Sequence, residues 1–269
     1  MPFKLIALDL DGTSLRSDLR VSERLTNILQ KIKTQNGIRI TIATGRMFAT
    51  SVPYVEPLCA NSPIISLNGA EIVDHKNGDI ISSFTIPADL SKYGRELFWR
   101  YKGAALAVCS GRVFLNKLTP EASGSIKDWF AHPVIEPPPE EGEYSSFFAI
   151  GMEEELLTIV EDLHRNFYEL IDVDIFPSLR YKPLSYLEVR AKGVSKGSGL
   201  KYLRELLGID KSEVLAIGDW TNDIALFREA GFCATVANAA PQLKELAHKV
   251  SSLTNDEDGV AEILEELFF

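Results

Sequence analysis

Cysteine and histidine are scarce in this chain, and their scarcity removes several chemistries at once. Of 269 residues, three are cysteine and four are histidine. Cys59, Cys109 and Cys233 lie far apart without metal-type spacing, and an odd number cannot complete a disulfide framework, so they read as reduced packing residues. His75, His132, His164 and His248 share no spacing that suggests a site, which disfavours a zinc centre or a histidine nucleophile. No apolar run approaches the roughly 18 residues a membrane span needs, and Met1-Pro2-Phe3-Lys4 runs into the first strand without the layout of a signal peptide. Basic clusters are also missing: the formal net charge is −10, so neither nucleic acid nor a membrane is an expected partner. The composition, 45% hydrophobic with no internal repeat or low-complexity tract, is that of a globular protein with one or two cores. A soluble cytoplasmic protein is expected, either a monomer or a homodimer.

What the chain does have is an unusual start. Leu5-Ile6-Ala7-Leu8 is an apolar run with the look of a buried strand, and it ends in Asp9-Leu10-Asp11-Gly12-Thr13. Ligands of α/β folds collect at the C-terminal edges of strands. Two carboxylates beside apolar residues would be costly to desolvate unpaired, and a cation would remove that cost. Oxygen ligands of this kind suit Mg²⁺, which is usually completed by waters and a substrate phosphate. One carboxylate could then attack phosphorus while the other handles protons. An Asp-Gly turn explains the same residues equally well when they are taken alone.

The rest of the chain is organised around a sheet. Residues 1–83 alternate strand and helix patterns as a parallel sheet with crossover helices requires. A strand covers 3–8. A helix follows from Ser22, a capping residue, with Leu25, Ile28, Leu29 and Ile32 on one face and Gly37 beyond its end. A strand over 38–43 leads to Thr44-Gly45-Arg46, which opens a second helical stretch ending near Pro57. A strand over 63–67 precedes Asn68-Gly69 and a hairpin closing through Asn77-Gly78. Between 84 and 185 the character changes, with helical patterns over 89–101 and 153–169, strand-like runs at 104–108, 146–150 and 173–176, and the loop Pro137-Pro138-Pro139. This segment reads as an inserted α+β domain. From 186 to 269 the α/β alternation returns, with a helix over 195–207 and strands over 214–217 and 232–236, so one core is assembled from 1–83 and 186–269.

Three further constellations fall at strand ends or helix starts. Gly218-Asp219-Trp220-Thr221-Asn222-Asp223 follows the apolar run Val214–Ile217 and repeats the geometry of Asp9 and Asp11. If the two strands are neighbours, Asp219 can share a cation with Asp9, while Asn222 or Asp223 orients its surroundings; otherwise Asp219 caps a helix starting near Trp220. Thr44-Gly45-Arg46 places a hydroxyl and free backbone N–H groups where an anion fits, although a plain threonine cap explains it too. Arg46 either clamps a phosphate or sits on the surface. Lys196 lies in the first turn of a helix, where a cation opposes the helix dipole, and a nearby anion would remove that conflict.

In this order the segments resemble the haloacid dehalogenase superfamily, specifically the Cof-like phosphatases with a large α/β (C2B-type) cap inserted after the third core strand. Asp9–Thr13 looks like the first motif, Thr44-Gly45-Arg46 the second, Lys196 the third, and Gly218-Asp219 with Asn222-Asp223 the fourth. Asn68-Gly69-Ala70 and Asn255–Val260 look typical of the same branch. Trp220 stands where members commonly carry glycine or serine, and Ala237-Asn238-Ala239 where glycine-asparagine-alanine is usual.

The resemblance implies a Rossmann-like parallel-sheet core carrying a substrate-selecting cap that closes over the site. It implies Asp9 as nucleophile, forming an aspartyl-phosphate, and Asp11 as acid and then base. Mg²⁺ would be held by Asp9, the Asp11 carbonyl and Asp219, with Asp223 in support. Phosphate would be bound at Leu10, Thr44, Gly45, Lys196 and Asn222. The expected activity is hydrolysis of a small phosphomonoester such as a sugar phosphate. The alternatives are a phosphomutase resembling phosphomannomutase and a non-catalytic phospho-ligand-binding protein. Arg180 and Lys182 either meet a second anionic group of the substrate or are solvated.

Overall fold

The structure, a computed structural model, describes residues 3–178 and 180–269, so Met1 and Pro2, expected to lead into the first strand, lie outside the described residues. The chain divides into two compact units: one combines the residues up to Ser82 with Ser195–Phe269, and the other is Ser83–Val194.

The first unit begins with β1 (Leu5–Leu8), every residue of which is buried. Helix α1 (Glu23–Asn36) starts where Ser22 Oγ accepts from Leu25 N and ends at Gly37, with Leu25, Ile28, Leu29 and Ile32 buried along one stripe. Strand β2 (Arg39–Ile42) follows, then α2 (Phe48–Val55), β3 (Ile64–Ser66) and the hairpin of β4 (Glu71–Val73) and β5 (Ile80–Ser83). Asp74 N donates to Asp79 O and Gly78 N to Asp74 O, closing the hairpin at the predicted Asn77-Gly78.

The second unit contains α3 (Ala88–Arg100), β6 (Ala104–Cys109), β7 (Arg112–Leu115), α4 (Ser123–Trp129), β8 (Tyr144–Gly151), α5 (Glu153–Phe167), β9 (Ile171–Pro177) and β10 (Ser185–Ala191). Its antiparallel sheet runs β7-β6-β8-β10-β9. Leu90 and Phe98 of α3 join Leu156, Ile159 and Leu163 of α5 against Ala105, Phe147 and Leu187, so these two helices cover one face of the sheet. The unit ends at Val194 and not at residue 185, because β10 pairs with β8 and β9. That strand hides in the sequence because its charges end up paired inside: Arg190 meets Glu188 at 2.6 Å, and Glu188 is fully buried.

The chain returns to the first unit with α6 (Lys196–Leu206), β11 (Val214–Gly218), α7 (Ile224–Arg228), β12 (Phe232–Thr235), α8 (Pro241–Leu246), β13 (Lys249–Val250) and α9 (Gly259–Phe268). All neighbours in the sheet β13-β12-β11-β1-β2 are parallel, and a bridge between Ala43 and Ile65 continues it towards β3. This is the α/β core read from the sequence. The register pairs Leu8 with Ile217, so Asp9 and Gly218-Asp219 leave the sheet side by side. Beneath them Ile6, Leu8, Ile40, Leu215 and Ile217 pack with Leu29, Ile32, Ile263 and Leu264 of the covering helices. Among the described residues no helix is long and apolar enough to cross a membrane, and all three cysteines are free and buried.

Candidate active site

The sheet register brings four charged side chains to one point. Lys196 Nζ donates to Asp9 Oδ1 at 2.6 Å and to Asp223 Oδ1 at 2.7 Å, with the lysine side chain 1% exposed. Thr13 Oγ1 lies 2.9 Å from Asp9 Oδ2 and 2.9 Å from Asp219 Oδ1. The anions that Lys196 called for at its helix terminus are therefore Asp9 and Asp223. Thr13 is the member that sequence reasoning left without a role, although its place in the first motif was the available signal.

Asp223 does more than pair with Lys196. Its other oxygen accepts from the backbone N–H groups of Asp219 and Trp220 at 3.0 and 3.2 Å, which ties the turn at Thr221–Asp223 back to the end of β11. The capping of that turn thus belongs to Asp223, and the reading of Asp219 as a helix cap does not hold. Gly218 and Gly12 make these approaches feasible. A Cβ on Gly12, which has φ +78°, would overlap the Asp219 carboxylate.

Three carboxylates, Asp9, Asp219 and Asp223, place ligand oxygens within 4.8 Å of one another. Against them stands one ammonium. Burial drives the Asp9 carboxyl up from 3.8 to about 6, with Asp223 adding to the rise and Lys196 opposing it. Burial, then Asp9 and Asp223, drive Asp219 well above the ordinary carboxylate range. Lys196 is pushed upward despite its burial because Asp223 and Asp9 hold its charge. A buried set of three acids and one lysine fits a divalent cation in charge and in donor chemistry, since hard oxygen ligands suit such an ion.

Asp11 lies apart from this cluster. Arg46 Nε donates to Asp11 Oδ2 at 2.7 Å and its Nη2 donates to Oδ1. Arg46 is buried, with its guanidinium 5.4 Å from the centre of the Tyr54 ring. Burial alone would lower the Arg46 pKa, and the Asp11 carboxylate more than offsets this. The arginine is not on the surface, and its Nε and Nη2 hold the second carboxylate. Thr44-Gly45-Arg46 also does not open a helix directly, because α2 begins at Phe48 after Met47. Instead Thr44 Oγ accepts from Arg46 N at 3.1 Å in a local turn, while Thr44 O accepts from Asn68 N at 2.9 Å.

The remaining candidates fall nearby or elsewhere. Leu10 is buried, and its carbonyl accepts from Thr13 N and Leu15 N. Asn222 Nδ2 donates to Asn68 Oδ1 at 3.1 Å, which gives the Asn68-Gly69 turn a partner in the fourth motif. Gly69, at φ +94°, has no room for a Cβ beside the Ser195 carbonyl that precedes Lys196. Trp220 is 39% exposed. In the second unit Arg180 pairs with Asp128 at 3.2 Å.

A buried lysine and three acids at adjacent ends of parallel strands agree with comparisons over the whole length of the chain. The profile of the haloacid dehalogenase-like hydrolases matches residues 6–264, and the chain belongs to that family. Phosphatase YwpJ of Bacillus subtilis strain 168 is 31% identical over 299 residues, with 98% of this chain and 99% of the relative covered. The 5-amino-6-(5-phospho-D-ribitylamino)uracil phosphatase YitU of the same strain is 27% identical over 284 residues, with 98% and 97% covered. The crystal structure of TM0651 from Thermotoga maritima shares the fold at a TM-score of 0.82 and 27% identity, covering 98% of this chain and 97% of that one. The chain is a hydrolase of phosphoric monoesters.

Proposed function

We propose that this protein hydrolyses small-molecule phosphomonoesters, sugar phosphates or metabolites of similar size, through an aspartyl-phosphate on Asp9 and with Mg²⁺ at the acidic cluster. The observation that carries the reading is the placement of Asp9 between Lys196 and Thr13, with Asp219 and Asp223 within ligand distance. The phosphorylated ribitylaminouracil named for YitU belongs to the same substrate class. The second unit is the part proposed to select the leaving group.

When bound, the ion would lie among Asp9, Asp219 and Asp223 with the Asp11 carbonyl, offsetting charge on the transferring phosphoryl group. An Asp9 oxygen forms the bond to phosphorus as the ester P–O bond breaks, its electron pair staying on the leaving oxygen. Asp11 supplies that oxygen with a proton. Water then attacks phosphorus, Asp11 takes the proton of water, and the bond between Asp9 and phosphorus breaks to release phosphate. Both Asp11 oxygens are held by Arg46, so Asp11 rotates away from the arginine before either reaches the leaving group. Lys196 remains paired and keeps Asp9 oriented. Thr44 Oγ, which accepts from Arg46 N, keeps its own proton for a phosphoryl oxygen.

A panel of phosphomonoesters tests the reading. Phosphate release should require Mg²⁺ and vanish in Asp9→Asn, and release that survives this substitution would sink the mechanism. An isomerised phosphate with little free phosphate would point to a phosphomutase instead.

A further inference from the structure

Two segments singled out in the sequence, Ala237-Asn238-Ala239 and Asn255–Val260, contribute nothing to the acidic cluster, yet they meet the turn that follows it. Asn238 Nδ2 donates to Gly12 O at 2.8 Å. Asn238 Oδ1 accepts from Asn255 N at 2.9 Å, and Asn255 Nδ2 donates to Leu15 O at 2.8 Å. Further along, Ser17 N and Oγ donate to the Asp256 carboxylate at 2.7 and 2.6 Å, and Arg16 pairs with Asp258 at 2.9 Å. The turn from Gly12 to Ser17 is thus held along one flank by residues more than 200 positions away.

What hangs on this turn is the Thr13 hydroxyl. Gly12 is confined by the Asp219 carboxylate, which leaves no room for a Cβ, and its carbonyl is fixed by Asn238. The next residue places its hydroxyl 2.9 Å from both Asp9 and Asp219. Hydrogen bonds between oxygens weaken steeply with distance and angle, so a tilt of the Gly12–Thr13 peptide carries Thr13 out of reach of both acids. Asparagine suits the position because its amide donates at one end and accepts at the other, and Asn238 uses both ends.

We propose that Asn238 and Asn255 are positioning residues for phosphoryl transfer: they fix the Gly12 and Leu15 carbonyls and so keep Thr13 between Asp9 and Asp219. The proposal rests on the assignment of Asp9 as nucleophile. Asn238 is exposed and Asn255 half-buried, so the fold depends on them little, and their loss registers in the rate.

Asn238→Ala and Asn255→Ala remove each amide without adding charge, while Asn238→Asp and Asn255→Asp keep the side-chain shape but exchange the donor for a charged acceptor. With p-nitrophenyl phosphate and saturating Mg²⁺, kcat should fall about tenfold to a hundredfold while KM stays within about twofold, the pattern of lost transition-state orientation. Hydrogen exchange of the Thr13 and Leu15 amides should quicken in the variants, with exchange in β1, β2 and β11 unchanged. A folded variant with wild-type kcat and unchanged exchange overturns the proposal. So does a loss of kcat that merely tracks a loss of folded protein. If the wild type itself neither binds Mg²⁺ by calorimetry nor releases phosphate, the assignment of Asp9 falls and takes the positioning role of the two asparagines with it. A wild type that turns over beside an unimpaired Asn238→Asp overturns this proposal alone.

Discussion

Arg46 grips Asp11 by both carboxylate oxygens, through Nε and Nη2, while its own side chain is 3% exposed and that of Asp11 is 35% exposed. A pair open to water on one side is worth less than a fully buried one. Arg46→Ala should therefore cost about 2 kcal/mol of unfolding free energy, below the loss expected when a fully buried pair is broken. Arg46→Lys keeps the charge without the fork and should fall between Ala and wild type. Urea denaturation measures both, and an unshifted Arg46→Ala midpoint would show that the fork does not stabilise the loop.

Lys196 is a different case, because it and both its partners are buried. Lys196→Met leaves Asp9 and Asp223 facing each other without a cation and should destabilise the protein by about 3–5 kcal/mol at neutral pH. The loss should shrink on acidification as the Asp9 carboxyl, raised from 3.8 to about 6, takes up a proton. A variant whose midpoint shift is the same at pH 5 and pH 8 would contradict the electrostatic account.

Asp9 and Asp11 should fail in different ways. Asp9→Asn removes the attacking oxygen and should abolish turnover. Asp11→Asn removes the proposed proton transfer, along with the ion pair to Arg46, and should slow turnover by about 10²–10⁴-fold. A short exposure to labelled phosphomonoester, followed by acid quench, should leave label on Asp11→Asn and none on Asp9→Asn. Equal labelling of the two variants would refute the division of roles.

The acidic cluster also predicts a dependence on pH that Mg²⁺ reverses. The Asp9 carboxyl rises from 3.8 to about 6 on folding. A raised folded value means that its contribution favours folding most below 3.8 and is lost as pH climbs through about 6, and Asp219 acts in the same direction. In EDTA this cluster should therefore lower Tm as pH rises across that window. If Mg²⁺ binds as proposed, the charged carboxylates become its ligands, so binding releases protons and the Mg²⁺-induced gain in Tm should grow with pH. Calorimetry at pH 6 in buffers of different ionisation enthalpy reads the protons directly. A Mg²⁺ affinity that is flat from pH 5 to 8 would exclude this coupling.

How legible the molecule was depends on whether a side chain's role is local. Ser22, Leu25, Ile28, Leu29, Ile32 and Gly37 announce α1 because capping and periodicity act within one helix. Asp9 and Asp219 could be put forward as a pair because each ends an apolar strand, although only the register of β1 against β11 makes them neighbours. Nothing near Arg46 in sequence names Asp11 as its partner, 35 positions earlier. The end of the inserted unit is hard to read in the sequence for a related reason. Strand β10 carries Glu188 and Arg190, whose charges suggest solvent, and the ion pair that allows them inside exists only after folding. Thr13 and Asn238 are small polar residues of unremarkable type, and each makes one contact with a residue more than 200 positions away.

The central position of β1 has a consequence for how the protein is made. During synthesis β1 and β2 emerge early, but β11, which closes the other side of β1, follows after more than 200 further residues. Until then one side of this fully apolar strand is an open edge, the kind of surface that invites pairing with other chains. The nascent protein holds Asp9 and Asp11 without Lys196, Asp219 or Asp223, so on the proposed mechanism it is inactive until they emerge. Activity should appear only with the last third of the chain, and a chaperone that shields exposed strand edges should raise the yield of active enzyme more than it speeds the folding of the inserted unit.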